Sequence, residues 1–336
     1  MKTNGDAAVK VVPVRHVGRW IGVAGVMVAL AMLIHTMFFK VSSAKIACSL
    51  SAGVRSCHHV KVWRFQWNIV GQFFFTSEVF HGLLITIELT VVAMIIGIVL
   101  GMVIAVMRMS PNRVLSAIAF AYTWFFRGTP VLVQLTFWYY LGALYPHLTI
   151  GLPFLHVTFL NINVNNAALT ALDLVMLGLG LNEGAYMSEI ARAGLISVDE
   201  GQVEAASSLG MTRRQTLRLV VLPQAMRVII PPTGNEVISM LKTSSLASTV
   251  SVLELFGVSQ NIAASNFKLM PMLILASIWY LMVSTILSIG QFYLERRFAK
   301  GALRTPPPTP MQRLRADLRG ISAKFRTPRG IGELRT

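Results

Sequence analysis

Long apolar runs alternate with short basic or polar stretches along the chain. Six of these runs are long enough to cross a bilayer, which takes about 20 residues as a helix. They cover residues 20–39, 79–107, 119–144, 166–191, 228–262 and 270–294. The pattern predicts an all-α polytopic membrane protein with six transmembrane helices. Gly97 and Gly101 sit four residues apart in the second run, a spacing that lets another helix approach closely. The first run has a basic start and resembles a leader, but its apolar core is long, so it reads as a retained anchor.

Composition agrees with this pattern. Hydrophobic residues make up 54% and charged residues only 13%, which argues against an ordinary soluble enzyme. The net charge of +16 raises the question of nucleic acid. Its placement answers that question, because the cations cluster in loops and tails between apolar runs. Lys2, Lys10, Arg15 and Arg19 precede the first run, and Arg108 and Arg113 follow the second. Arg192, Arg213, Arg214, Arg218 and Arg227 lie between the fourth and fifth, and Arg296, Arg297, Lys300 and Arg304 follow the sixth. If every run crosses, all these groups share one side, which the positive-inside rule makes the cytoplasm. Both termini then lie there.

Residues 40–78 disagree, being basic yet assigned outside. This loop also holds the only cysteines, Cys48 and Cys57. Outside the cytoplasm they could form a disulfide, and two free thiols remain the other reading. The chain therefore divides into an N-terminal segment with an extra helix and external loop (1–78), a transmembrane domain (79–298) and a basic tail (299–336). The tail, with its run Pro306-Pro307-Pro308, reads as a disordered extension near anionic headgroups.

Costly residues inside apolar runs mark function in a membrane protein. Glu88, Asp173, Glu183, Glu236, Lys242 and Glu254 are such residues here. The fifth run also contains Pro231, Pro232, Gly234, Asn235, Thr243, Ser244 and Ser245, so it is expected to break within the membrane. Irregular backbone at that depth survives where it is buried in protein or lines a wet cavity. Glu183, Asn235, Lys242 and Ser245 are accordingly candidate residues of a substrate pathway. Glu88 and Glu254 fit a structural role equally well.

The polar loop 188–224 predicts two short helices joined at a sharp turn. Ser197 with Glu200 and Thr212 with Gln215 have the spacing of capping boxes. Gly210 suits a helix end with positive φ. Such a knob fits a cleft in another protein, or stands solvated with no partner.

Glu204-Ala205-Ala206, Gly210 four residues after Ala206, and Val220 before Leu222-Pro223 together resemble the signature loop of ABC importer permeases. Val220 stands where Ile is common. Further motifs are similar to the polar-amino-acid uptake branch: Arg127-Gly128-Thr129-Pro130 with Gln134, Asn182-Glu183 with Ala185-Tyr186, Leu222-Pro223-Gln224, Pro231-Pro232 with Gly234-Asn235-Glu236, and Leu241-Lys242 with Ser245. The resemblance covers about residues 79–298. Thr243-Ser244 departs from the Asp-Thr often found there.

The resemblance implies a five-helix permease core. It also implies an identical or sister permease as dimer partner, two cytoplasmic ATPase subunits gripping the loop, and an external binding protein that delivers a polar amino acid. Glu204, Ala205, Ala206, Gly210, Arg213, Arg214, Leu222 and Pro223 would form the ATPase contact. The chain would be no enzyme and would bind no cofactor, ATP and Mg being used by the partner subunits. The residues agree on one point: no Gly is followed by Lys, so the usual phosphate loop is absent. His58-His59 beside Cys57 lacks metal-site spacing, so no metal is expected. A standalone ion-coupled carrier using Glu88 and Glu183 is the alternative, and it leaves the knob unexplained.

Overall fold

The computed structural model describes residues 17–39, 41–51, 54–63, 66–144, 147–152, 157–163 and 170–298. The basic tail and the first 16 residues, named above, lie outside these. Contacts divide the chain into two units, residues 1–76 with 262–275, and residues 77–261 with 276–336.

The first unit contains helix α1 (Val17–Phe39), an antiparallel hairpin of β1 (Val41–Ser51) and β2 (Val54–Trp63), and helix α2 (Trp67–Phe74). The sequence reading left this loop without elements. Its hairpin pairs Cys48 with Cys57 as direct Cα partners. Their side chains lie outside the described residues.

The second unit is helical apart from one more hairpin, β3 (His147–Leu152) with β4 (Val157–Asn163). Helix α3 (Ser77–Arg108) is followed by α4 (Arg113–Gly128), α5 (Val131–Leu144) and α6 (Ala171–Ile196). Next come α7 (Glu200–Ser208), α8 (Arg213–Thr216), a π-helical turn (Leu217–Val221) and α9 (Leu222–Thr243). A 3-10 turn (Ser244–Val250) leads to α10 (Leu255–Asn266) and α11 (Leu269–Phe298), whose residues 262–275 belong to the first unit. Among the described residues, α3 and α11 are long and apolar enough to cross a membrane, and Gly22–His35 and Val131–Leu141 are shorter apolar stretches.

The expected single span 119–144 is two helices. Thr129 is extended, with φ −114° and ψ 144°. The residue before a proline is pushed out of the helical region, and Pro130 has no amide hydrogen to continue the ladder. The expected break in the fifth run falls at Ser244 and not at its prolines. Helix α9 continues through Pro231 and Pro232, and regular α-helix ends only at Ser244. Asp173, read above as a costly charge, caps α6 in a reciprocal box with Thr170.

The most extensive contact between helices is that of α3 with α6. A Cβ on Gly97 would lie 2.5 Å from Glu183 Cγ, and one on Gly101 would lie 2.5 Å from Met187 Cβ. On α6, a Cβ at Gly180 would lie 2.6 Å from Ile96, and one at Gly184 3.0 Å from Leu100. Four glycines thus bring two long helices together, as Gly97 and Gly101 predict. Leu89, Leu135, Val175, Leu179 and Met240 join them in one buried cluster drawn from α3, α5, α6 and α9.

Glu254 is structural in this arrangement. It is 0% exposed, and its carboxylate accepts from Phe256 N (2.8 Å), Gly257 N (2.7 Å), Tyr280 Oη (2.7 Å) and Thr86 Oγ1 (3.4 Å). It satisfies the free amides at the start of α10, which carry the positive end of the helix dipole.

Candidate functional site

The break between α4 and α5 is held open by a buried amide network. Gln134 Nε2 donates to Phe126 O (3.0 Å) and to Thr129 Oγ1 (2.6 Å). Asn182 Nδ2 donates to Phe126 O (3.0 Å) and Gln134 Oε1 (3.0 Å). The carbonyls that α4 leaves unpaired at its end are thereby satisfied without water. The network fixes the segment Arg127-Gly128-Thr129-Pro130 against α6.

A cavity of about 540 Å³ opens beside that segment. Arg127, Glu183, Tyr186, Glu236, Ser239 and Thr243 supply its polar lining. Glu183 is only 4% exposed, and its Oε1 is buried with no hydrogen-bond partner among the described residues. Leaving a buried carboxylate oxygen unpaired is expensive, about 1–3 kcal/mol or more, unless something in the cavity satisfies it. Gly97 lies directly behind Glu183 and leaves it the room to stand there. Arg127 holds its guanidinium 5.3 Å from the centroid of the Tyr186 ring. The cavity therefore gathers two acidic side chains and one guanidinium from three different helices.

The four pathway residues predicted from sequence are not gathered in one place. Glu183 lines this cavity. Lys242 and Ser245 line a second one of about 380 Å³ with Ser277, Tyr280 and Ser284. Asn235 accepts a hydrogen bond from Gln291 Nε2 (3.0 Å) on α11. Residues 236, 239, 240 and 243 form one stripe of α9, and residues 235 and 242 lie one helical step of 100° away. The sequence marks Glu236 as a costly charge and part of a motif, and Arg127 only as part of a motif. A carboxylate at helical spacing from Ser239 and Thr243 was the available signal for Glu236.

The knob is built as a sharp helical turn. Asp199, not Ser197, caps α7, its side chain accepting from Gly201 N (2.8 Å). Ser197 instead donates to Gly194 O (2.7 Å), closing α6, because its backbone remains helical. Gly210 has φ +76°. Met211 N donates to Ala206 O (3.1 Å) and Gly210 N to Ser207 O (3.0 Å), the paired bonds of a glycine-ended helix. Thr212 and Gln215 form the predicted capping box. Ala206 is buried, while Glu204, Ala205, Arg213, Arg214 and Pro223 are exposed and Leu222 is half-buried. Leu209, beside the turn, is 82% exposed. The π-helical turn falls just before Pro223, where an amide donor is missing. Asp199, Glu200 and Glu204 make one arm of the knob acidic, and Arg213, Arg214 and Arg218 make the other basic.

Among the described residues, no group of three or more His, Cys, Asp or Glu could hold a metal ion.

Residues 97–300 match the family described as "Binding-protein-dependent transport system inner membrane component". The arginine transport system permease protein ArgU of Corynebacterium glutamicum is 43% identical over 87% of this chain and 84% of its own length. The L-cystine transport system permease protein TcyB of Bacillus subtilis is 38% identical over 69% of this chain and 90% of its own. A solved structure, "Crystal structure of an amino acid ABC transporter with histidines", is similar with a TM-score of 0.56. It is 33% identical and covers 68% of this chain and 97% of the solved one.

Proposed function

Since the chain belongs to the family of binding-protein-dependent transport system inner membrane components, we propose that it imports a cationic amino acid as one permease of an ATP-driven transporter. It is a multi-pass inner-membrane permease subunit and not an enzyme. The substrate class is carried by one observation: Glu183 and Glu236 line a single cavity with Arg127. A cationic amino acid has one carboxylate for Arg127 and positive groups for the two glutamates. The arginine system of the relative from Corynebacterium glutamicum points the same way. The cystine system of the relative from Bacillus subtilis does not, and the paired glutamates of the cavity favour the cationic reading.

Substrate would arrive from an external binding protein and pass along Glu183. Asn235 and Lys242, on the adjoining face of α9, and Ser245, in the 3-10 turn that follows, would bound the passage toward a second permease. Two ATPase subunits, using ATP and Mg, would grip residues 188–224 at Glu204, Ala205, Ala206, Gly210, Arg213, Arg214, Leu222 and Pro223. That arrangement sets the knob and both termini on the cytoplasmic side. The split charge of the knob and the exposed Leu209 at its turn support a protein contact there, since an apolar side chain flanked by charges is a usual anchor.

The test is uptake of labelled arginine and labelled glutamine by the assembled transporter. Glu183→Gln and Glu236→Gln should each depress arginine uptake by more than tenfold, the loss of about 1.4 kcal/mol of binding. Arginine uptake unchanged in both variants would remove the cavity from the pathway.

A further inference from the structure

Helix α9 connects the knob to the cavity. It begins at Leu222, directly after the π-helical turn, and its residues 236, 239, 240 and 243 line the cavity near its other end. The rotation of α9 about its own axis therefore decides where Glu236 points. The helix fixes that rotation poorly by itself. Pro231 and Pro232 lack amide hydrogens, so the carbonyls of Arg227 and Val228 lose their ladder partners. Thr233 Oγ1 donates back to Ile229 O (2.8 Å), a bond of the kind that bends helices. This soft stretch lies between the knob and Glu236.

A side chain from α11 grips the soft stretch. Gln291 Nε2 donates to Pro231 O (3.2 Å) and Asn235 Oδ1 (3.0 Å) on α9, and to Glu295 Oε1 (2.7 Å) one turn further along α11. Gly234 provides the notch in which the amide sits, since a Cβ there would lie 2.7 Å from both Gln291 Cγ and Gln291 Cδ. The amide has two hydrogens for these three acceptors. Glu295 makes the shortest of the bonds and is a carboxylate, so it takes one hydrogen and aims the amide. The other hydrogen is shared between Pro231 O and Asn235 Oδ1. At 3.6 residues per turn, residues 231, 234 and 235 lie roughly 140° round α9 from the cavity stripe. Gln291 thus holds the back of the helix whose front bears Glu236. A rotation of about 20° would carry a group about 5–6 Å from the helix axis through about 2 Å. That is enough to take a carboxylate out of hydrogen-bond reach.

We propose that Gln291 is a positioning residue for transport, gripping α9 at Pro231, Gly234 and Asn235 so that Glu236 faces the cavity. What Glu236 does there rests on the cationic-substrate reading, and the grip itself does not.

The test uses full-length chains in the assembled transporter, carrying Cys48→Ser, Cys57→Ser, Glu183→Cys and Glu236→Cys, and a short bifunctional thiol reagent. The two introduced thiols should be linked when Gln291 is native. Gln291→Met keeps the bulk and loses the donors, and Gly234→Ala fills the notch, so each should lower the linkage severalfold. Gln291→Lys offers donors to the same acceptors and should retain most of it. Equal linkage in all four proteins, or linkage in none, would overturn the proposal. Arginine uptake with Glu183 and Glu236 native is the second readout. Gln291→Met should raise the arginine concentration for half-maximal uptake severalfold, with less effect on the maximal rate, and should add nothing in a Glu236→Gln background. A merely structural role would lower the maximal rate alike in both backgrounds, and that result would also overturn the proposal. Linkage that depends on Gln291, together with native uptake by Glu236→Gln, would keep the grip and reject the cationic-substrate reading.

Discussion

Gly97 offers a direct reading of how the helix pair supports the cavity. In Gly97→Ala the new Cβ would lie 2.5 Å from Glu183 Cγ, 2.8 Å from its Cβ and 3.3 Å from its backbone carbon. Carbon atoms rest comfortably at about 3.5–4.0 Å. Rotating the Glu183 side chain relieves the first contact but leaves the second, which is fixed by the backbone. Relief therefore requires α3 and α6 to separate by about 1 Å, a case of overpacking that costs roughly 1–3 kcal/mol. The purified protein should melt several degrees lower in thermal unfolding, at about 2–4 °C per kcal/mol for a chain of this order of size. Arginine uptake should fall as well, because Glu183 is displaced into the cavity it lines. Gly290→Ala, on α11 and away from the cavity, is the control, since a Cβ there would meet nothing within 4 Å. Gly97→Ala combined with Glu183→Ala should regain part of the lost stability and none of the transport. A Gly97→Ala protein with native melting and native uptake would refute both the close helix contact and its link to the site.

Other perturbations separate structure from transport. Glu254→Ala would leave Phe256 N, Gly257 N and Tyr280 Oη without their acceptor, and a loss of about 3 kcal/mol or more is expected in thermal unfolding, with no change of substrate preference among surviving protein. Glu204→Lys, on an exposed site, should leave melting unchanged while abolishing substrate-stimulated ATP hydrolysis by the assembled transporter. Gly210→Ala should cost about 1–2 kcal/mol through its left-handed φ alone and weaken coupling in the same assay. Cys48 and Cys57 are direct Cα partners in the hairpin, so peptide mapping without reductant should recover them joined, and recovery of both as alkylated free thiols would exclude the disulfide.

The helical class, the α3–α6 contact and the knob were legible because each follows from local chemistry. Glycines four apart, a Thr-x-x-Gln box and a glycine at a helix end carry their geometry in a few consecutive residues. The cap of α7 was misread because Ser197 and Asp199 both offer a capping oxygen, and only the exit angle of α6 decides between them. The break at Thr129 required weighing one proline against a strongly apolar run. Pro231 and Pro232 had the opposite outcome, with α9 continuing through them. Composition does not distinguish these cases, because the difference lies in tertiary partners such as Gln134 and Asn182, which satisfy the freed carbonyls of α4. The two hairpins escaped notice because short strands beside long apolar helices leave little periodic signal. The cavity was only half legible. Glu183 stood out as an acid in an apolar run, but its association with Arg127 and Glu236 depends on helices far apart in sequence.

The most direct test of the account is uptake by proteoliposomes that contain this chain purified with whatever it retains in mild detergent. Labelled arginine is presented with its external binding protein, first with ATP inside and no ion gradient, then with a proton or sodium gradient and no ATP. Accumulation that needs ATP and a co-purified ATPase is the predicted result. Accumulation driven by the gradient, from vesicles containing this chain alone, would contradict the importer reading and establish an ion-coupled carrier instead.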